Sequence, residues 1–156
     1  MLRISKMADY GTVILTAMAH EPERTRSTAE IGAVTRLPVP SVSKILKIFV
    51  REGLVVSLRG AKGGYMLSRP PAEISTAQIL NAIDGQIGMT ECSITPGLCS
   101  REIGCPVRAN WQKVNRVMLQ ALEQITLEEM LQPVAETVDV RVLRARRPAS
   151  RAAANP

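Results

Sequence analysis

An apolar helical stripe followed directly by a glycine-rich turn constrains the fold more than any other feature of this sequence. The apolar residues recur at i, i+3, i+4, i+7 and i+8, and they are Val42, Ile45, Leu46, Phe49 and Val50. This spacing predicts an amphipathic helix with one buried face. Gly53 is expected to end the helix, because glycine adopts the left-handed backbone found just after many helix C-termini. Other elements must then supply a core for the apolar face.

Two short segments suited to β-strands flank the glycine-rich turn. They span residues 54–58 and 65–68, and the turn between them holds Gly60, Gly63 and Gly64. Short strands around such a turn are typical of a β-hairpin. A phosphate-binding loop is a weak alternative, because such loops open a helix and this one precedes a strand.

Two further helices are predicted upstream of the amphipathic one. Residues 5–20 carry a stripe of partly apolar residues at helical spacing: Met7, Tyr10, Val13, Ile14, Ala17 and Met18. Ser27 and Glu30 form a capping box that opens a second helix, which is expected to end near Thr35. Three helices followed by a hairpin is the order of a winged helix-turn-helix. The predicted fold is therefore mainly α with a small β-wing.

More helices are predicted downstream of the wing. Ser75 and Gln78 form a second capping box, and Thr126 and Glu129 form a third. Between them a long helix is expected from Pro106 to about residue 124. One side of it is largely apolar, with Val107, Trp111, Val114, Met118, Leu122 and Ile125. The intervening stretch 86–104 has no periodicity and is predicted to be a loop.

The net charge of +6 is unevenly distributed along the chain. The segment 36–69 contains seven basic residues and one acid, Glu52, and the basic residues are Arg36, Lys44, Lys47, Arg51, Arg59, Lys62 and Arg69. A basic block on the predicted third helix and wing favours binding to phosphates. A merely solvated charged face is the alternative. A second basic cluster, of arginines, lies in the tail after residue 140.

Seven residues in this block are candidates for contacts with double-stranded DNA: Ser41, Ser43, Lys44, Lys47, Arg51, Arg59 and Lys62. The first three lie near the N-terminal end of the third helix, which in a helix-turn-helix meets base edges and phosphates. The next two lie further along and suit phosphate contacts. The last two lie on the wing turn, where a long side chain reaches a minor groove or the backbone. A winged helix that binds only proteins is the alternative.

Cys92, Cys99 and Cys105 lie in one stretch, with six and five residues between them. Zinc sites usually have four ligands and closer cysteine pairs, and no fourth cysteine or nearby histidine exists here. An iron–sulfur cluster fits the wider gaps better, and free structural thiols stay open as an alternative. The only histidine, His20, is expected to cap the first helix. No constellation for nucleophilic catalysis is present, so neither an enzyme nor a small-molecule substrate is predicted.

No run of 18 apolar residues occurs, so no transmembrane helix is predicted. The basic residues 1–6 and the apolar stretch 13–19 together loosely imitate a signal peptide, but residues 9–12 lie between them and leave an apolar core at the short limit. A cytoplasmic protein is expected, in which cysteines are more often ligands or free thiols than disulfides.

Several motifs together resemble the IscR/NsrR-type family of winged-helix regulators. They are Asp9-Tyr10, Gly53-Leu54-Val55, Arg59-Gly60-x-x-Gly63-Gly64-Tyr65, the three-cysteine loop and Trp111. The resemblance covers roughly residues 1–135. Within the family, the opening residues 1–11 are most similar to regulators of the SUF iron–sulfur assembly operon.

This resemblance implies a homodimer whose long C-terminal helices cross, with a cluster held near the partner's DNA-binding domain. It matches Cys92, Cys99 and Cys105 to three thiolate ligands. The branch with a two-iron cluster has a histidine where this chain has Arg108. The nitric-oxide-sensing branch uses an aspartate of the partner's first helix, a place occupied here by Asp9. Asp9 is therefore the candidate fourth ligand, with an ordinary surface or capping aspartate as the alternative, and the choice between [2Fe-2S] and [4Fe-4S] stays open.

The resulting hypothesis is a dimeric, sequence-specific DNA-binding repressor of SUF genes that senses iron–sulfur or redox status through its cluster. The alternative is an iron–sulfur or zinc protein, such as a cluster carrier, that uses the winged helix to dock a protein partner. The expected organisation is a DNA-binding domain at 1–85, a cluster-binding loop at 86–105, dimerisation helices at 106–135 and a basic, disordered tail at 136–156.

Overall fold

The computed structural model describes residues 4–60 and 62–132, and these form helices around one small sheet. The helices are α1 (Lys6–Ala19), α2 (Thr28–Thr35), α3 (Val39–Arg51), α4 (Thr76–Asp84), α5 (Glu91–Ile94), α6 (Arg108–Gln124) and α7 (Leu127–Leu131). The strands are β1 (Val55–Leu58) and β2 (Gly64–Leu67). This order confirms the predicted winged helix, mainly α with a β-wing. The predicted basic tail, 136–156, lies outside the described residues.

Helix α1 lies at the centre and packs against α2, α3, α4 and α7. Ser5 caps it, with its hydroxyl oxygen accepting a hydrogen bond from the backbone N–H of Ala8 at 3.0 Å. The same hydroxyl donates to Oδ1 of Asp84 at 2.6 Å, which joins the start of α1 to the end of α4. His20 is the C-cap residue, as predicted.

The turn from α2 to α3 and the end of α3 both depend on left-handed backbone. Ser27 and Glu30 form the predicted capping box on α2, and Arg36 ends that helix at φ +55°. Helix α3 begins one residue before Pro40 and buries four of the five residues of the predicted apolar stripe, while Val50 is half-buried. Gly53 follows its C-cap with φ +71°, which confirms the predicted helix end.

The wing contains a pairing that the sequence did not indicate. β1 and β2 are antiparallel, with Val55 opposite Leu67. The backbones of Arg26 and Tyr65 exchange hydrogen bonds of 2.9 and 2.8 Å, so the segment after α1 adds a third, one-residue strand. The buried Arg26 guanidinium donates to the carbonyl of Ala17 at 2.6 Å and to Glu21. Hydrogen bonds from Arg24 and Arg26 hold the pKa of Glu21 below its usual value.

Replacing Gly64 by alanine is expected to break this third-strand pairing. A Cβ at residue 64 would lie 2.5 Å from the carbonyl oxygen of Arg26 and 2.8 Å from its carbonyl carbon, which are backbone atoms with little room to shift. Hydrogen exchange should show faster exchange at the Tyr65 amide, and unfolding should cost about 1–3 kcal/mol less. The exposed Ser57→Ala on β1 is the control. Unchanged protection of the Tyr65 amide in Gly64→Ala would contradict this account.

The second half of the described chain corrects two predicted boundaries. The stretch expected to be a loop contains α5, a single turn closed by a 3.0 Å hydrogen bond from the Thr95 amide to the Glu91 carbonyl. Such a turn is too short to show periodicity. Helix α6 begins at Arg108, so Pro106 precedes the helix and does not lie in its first turn.

Helix α7 folds back onto the winged-helix core. Leu127 is fully buried there, and its amide donates to the Ile74 carbonyl at 2.7 Å. The Thr76 amide donates to the Ile125 carbonyl at 2.8 Å. The predicted dimerisation segment therefore divides into α6, which lies outside the core, and α7, which is part of it.

One continuous core joins these elements. Its large, fully buried side chains come from α1 to α4, from residues 54 and 74, and from the start of α7: Ile14, Leu15, Met18, Ile31, Ile45, Leu46, Phe49, Leu54, Ile74, Ile79 and Leu127. In the part of the chain described, no helix is both long and apolar enough to cross a membrane.

Candidate DNA interface and cysteine loop

The polar face of α3 forms a shallow basic depression on the surface. It is lined by Pro40, Ser43, Lys44, Lys47, Ile48 and Arg51. The opposite face is anchored by four buried residues, so the helix cannot rotate without exposing its apolar stripe. Four of the seven predicted DNA-contact residues are brought together here. Arg51 also forms an exposed ion pair with Glu52 at 2.8 Å, which contributes little to stability at such exposure.

Ser41 lies on the other side of the same helix end. It borders a second depression, between α3 and the first turn of α1, together with Lys6, Met7, Tyr10, Lys44 and Ile45. The ammonium of Lys6 lies 5.4 Å from the ring centroid of Tyr10, within the range of a cation–π contact. Sequence reasoning missed Lys6, because it treated this helix only through its apolar stripe.

Arg59 and Lys62 lie exposed on the wing turn, apart from the α3 face. The glycines of the turn have a steric role. Gly60 has φ +109°, and a Cβ at Gly63 would collide with the backbone of the segment that enters the turn. These restraints account for the glycines without a bound phosphate.

The cysteine loop connects α4 to α6 and is fastened at both of its ends. Near its start, the amide of Met89 donates at 3.1 Å to the side-chain oxygen of Asn115, a buried residue of α6. Within the loop, α5 packs against α6. At its end, the Arg108 amide donates to the carbonyl of Cys105 at 3.4 Å. Asn115 is buried although it does not belong to the predicted apolar side of α6, so the sequence pattern did not indicate this contact.

All three cysteines are free thiols and half-buried. The sulfur of Cys92 lies 3.3 Å from the Thr90 hydroxyl. Three thiols in one loop suit an iron–sulfur cluster in their donor chemistry, because such clusters are held by cysteine thiolates. Within residues 4–60 and 62–132, no three His, Cys, Asp or Glu side chains are gathered closely enough to hold a metal ion. The predicted cluster ligands therefore stay a prediction.

A carboxylate between the second and third cysteines holds the loop in shape. Glu102 has a side chain only 10% exposed, and it forms an ion pair with Arg108 at the start of α6. Its other oxygen accepts from the amide of Gly97 at 2.5 Å, and its own amide donates to the carbonyl of Cys99 at 3.1 Å. Glu102 and Arg108 lie six residues apart across a loop, so no periodic pattern pointed to their contact.

Asp9 lies exposed in the first turn of α1. Among the described residues of one subunit, Asp9 does not belong to a group of potential metal ligands. An aspartate that serves a partner subunit's loop would need this exposure. Its role as a ligand stays a prediction.

Helix α6 presents an uncovered apolar face. Val107, Trp111, Val114 and Val117 are 41–55% exposed, and Ile103 just before the helix is fully exposed. The sequence predicted the apolar side of this helix, and within a single subunit this side is left largely without a core. A surface of this kind is typical of an interface with another chain.

Comparison with known proteins decides the family. The model of the Rrf2 family, described as an iron-dependent transcriptional regulator, matches residues 4–133. The chain belongs to the Rrf2 family. Rrf2 proteins are transcriptional regulators, so this chain is a DNA-binding regulator and not an enzyme. Membership therefore favours the predicted DNA-binding function over a winged helix that only docks protein partners.

Among its relatives, the chain is 27% identical over 140 residues to the HTH-type transcriptional regulator IscR of Xenorhabdus nematophila, covering 89% of this chain and 84% of that protein. The structure of CymR, the global cysteine regulator of B. subtilis, matches with a TM-score of 0.69 at 27% identity over 84% of this chain and 97% of that one. T. potens IscR shares the fold, with a TM-score of 0.65 at 24% identity over 90% of this chain and 96% of that one. The fold of this chain is thus shared by regulators with different names.

Proposed function

We propose that this protein is a homodimeric repressor of iron–sulfur (SUF) assembly genes whose operator affinity depends on a bound iron–sulfur cluster. The observation that carries the proposal is the presence, in one Rrf2 chain, of a basic α3 face and three half-buried free thiols in a single loop. Cys92, Cys99 and Cys105 would hold the cluster, with Asp9 of a second copy as the fourth ligand. Location in the cytoplasm is part of the same proposal.

The DNA-binding step follows from the geometry of α3 and the wing. The buried stripe of α3 fixes the helix against the core, so its N-terminal end with Ser43 and Lys44 is presented to base edges in the major groove. Lys47 and Arg51 lie further along and bind phosphates. Arg59 and Lys62 extend the basic surface to the flanking backbone or minor groove.

The sensing step depends on the cysteine loop. A cluster bound there supplies a redox-active group that oxygen or nitric oxide can alter. Arg108 cannot replace the histidine of the two-iron branch as a ligand, because a guanidinium has only donors. Its pairing with Glu102 instead holds the segment that bears Cys99 and Cys105.

A short path links this loop to the DNA-binding surface. The loop begins where α4 ends, and Asp84 at that end accepts a hydrogen bond from the N-cap of α1. Helix α1 packs in turn against α3. Any movement of the loop therefore acts on α1 and, through it, on α3. By thermodynamic reciprocity, a cluster that changes DNA affinity is itself held more or less tightly when DNA is bound.

Dimerisation follows from the exposed apolar face of α6. Burying Val107, Trp111, Val114 and Val117 against the same face of a second copy removes their apolar surface from water. It also places two α3 helices on one DNA duplex, as two half-sites require.

The test is an absorption spectrum with iron and acid-labile sulfide analysis on protein purified without oxygen. Visible absorption with iron and sulfide in matching amounts supports the cluster, and their ratio to protein distinguishes two-iron from four-iron. A colourless protein that holds only zinc, or no metal after reconstitution, would contradict the proposed iron–sulfur sensing. The protein would then be a winged-helix regulator whose three thiols do not bind a cluster.

Two substitutions on α3 separate phosphate contacts from base contacts. Lys47→Ala is expected to weaken binding to operator and random duplexes equally, and to lower the log–log salt slope by about 0.9, because one phosphate contact is lost. Ser43→Ala is expected to change base preference by about 1–3 kcal/mol at one position while the salt slope stays the same. Fluorescence anisotropy with operator and scrambled duplexes measures both. Equal losses on both duplexes for Ser43→Ala would refute this division.

A further inference from the structure

The depression between α1 and α3 is a second basic feature beside the recognition face. It has a volume of about 300 Å³ and is lined by Lys6, Met7, Tyr10, Ser41, Lys44 and Ile45. Met7, Tyr10 and Ile45 pack against the core, and the rim carries the ammonium groups of Lys6 and Lys44 with the hydroxyl groups of Ser41 and Tyr10. A small, singly charged anion suits such a rim better than an apolar ligand does.

Lys6, the lysine on the α1 side of the depression, is positioned by a contact with Tyr10. Its ammonium lies 5.4 Å from the ring centroid of Tyr10, and Tyr10 itself packs against the core. Among the described residues, no carboxylate forms an ion pair with Lys6 or Lys44. Both positive charges are therefore available to an incoming ligand.

The position of the depression suggests the source of the anion. Lys44 borders both this depression and the basic depression on the α3 face. When the N-terminal end of α3 enters a major groove, the backbone phosphates that edge the groove lie on either side of it. The depression therefore faces one phosphate row, while Lys47 and Arg51, further along α3, bind other phosphates of the duplex.

We infer that Lys6, together with Ser41, binds a phosphodiester group of the DNA backbone beside the bases that α3 contacts. The inference rests on the proposed use of α3 as the recognition helix. An ammonium acts on phosphate as a point charge, so Lys6 adds affinity without adding base preference. The Tyr10 ring reduces the freedom that Lys6 would lose on binding.

Binding to duplex DNA over a series of salt concentrations tests this inference. For Lys6→Ala, the log–log salt slope is expected to fall by about 0.9, which corresponds to about an eightfold loss of affinity at about 0.1 M salt. The loss should be equal on operator and scrambled duplexes. Lys6→Arg, which keeps the charge, should retain most of the affinity. Lys113→Ala removes the same charge from the exposed face of α6 and is the matched control.

The outcomes separate this inference from the proposed function. If the parent protein binds the operator with a steep salt slope and Lys6→Ala binds with the same slope, Lys6 contacts no phosphate and the inference is wrong. An equal loss in Lys113→Ala also overturns it, because the effect is then one of net charge. If the parent shows no salt-dependent duplex binding, both the recognition surface and this contact are rejected. Thermal melting of each variant checks that the folded fraction is unchanged.

Discussion

Phe49→Ala is expected to lower the free energy of unfolding by about 3–5 kcal/mol, the usual cost of removing a buried aromatic ring. Phe49 is completely buried on α3, and it is in contact with α1 where that helix has a glycine. A Cβ at Gly11 would lie 2.8 Å from Cζ of the Phe49 ring and closer still to Cδ1 of Ile83, so the ring and Ile83 together fill the space beside the Gly11 backbone. Because both helices are fixed by other contacts, they cannot close the gap that alanine would leave. The loss is a large fraction of the stability of a small domain.

Urea unfolding followed by circular dichroism measures this effect, at one fixed protein concentration because a dimer's stability depends on concentration. Val34→Ala is the control. Val34 is 68% exposed on α2, and its truncation should change the free energy of unfolding by less than about 0.5 kcal/mol. A loss below about 1 kcal/mol in Phe49→Ala would show that α1 and α3 are not packed through this ring.

Replacing any one of Cys92, Cys99 or Cys105 by alanine is expected to abolish retention of iron and sulfide and to remove the redox dependence of operator affinity. Each thiolate is one of only three that the chain offers, and no other cysteine can substitute. All three are half-buried side chains of a loop, so each replacement should leave the winged-helix core folded. The expected result is a colourless protein that binds DNA with one affinity under oxidising and reducing conditions.

The matched control is Ser100→Ala, an exposed change next to Cys99 that removes a hydroxyl and no thiol. It should retain iron, sulfide and the visible spectrum of the parent. Metal analysis and anaerobic DNA titrations of all four variants make the comparison. Should the three cysteine variants keep iron and sulfide at parental levels, the loop is not the cluster site.

The elements of the winged helix were predictable because each is defined by nearby residues. The α3 stripe, three capping boxes and Gly53 depend on spacings of a few residues, and the structure confirms them. The pairing of Arg26 with Tyr65 and the return of Leu127 to the core depend on contacts between distant segments. Arg26 contributes a single residue to the sheet, and Leu127 is a single leucine after a capping box. Neither belongs to a periodic pattern, so neither contact could be predicted from the sequence.

The candidate site divides in the same way. The basic face of α3 was predictable, because charge and periodicity coincide on one helix. The Glu102–Arg108 ion pair was not, because it spans an irregular loop. Lys6 was missed because its position beside Ser41 results from the packing of α1 on α3. A basic residue one turn before an aromatic on a helix, as in Lys6 and Tyr10, was the only local signal.

Helix α6 is tied to the cysteine loop through Asn115 in its middle, and the residues just after it, Ile125 and Leu127, are hydrogen-bonded to the winged-helix body. If α6 forms the dimer interface, no flexible linker separates that interface from the α3 helix of either subunit. The two α3 helices then have one fixed separation. Half-sites on one face of a duplex lie about 34–36 Å apart, and each added base pair also rotates one of them around the axis. Such a regulator distinguishes its operators by the length of the spacer as well as by the bases in each half.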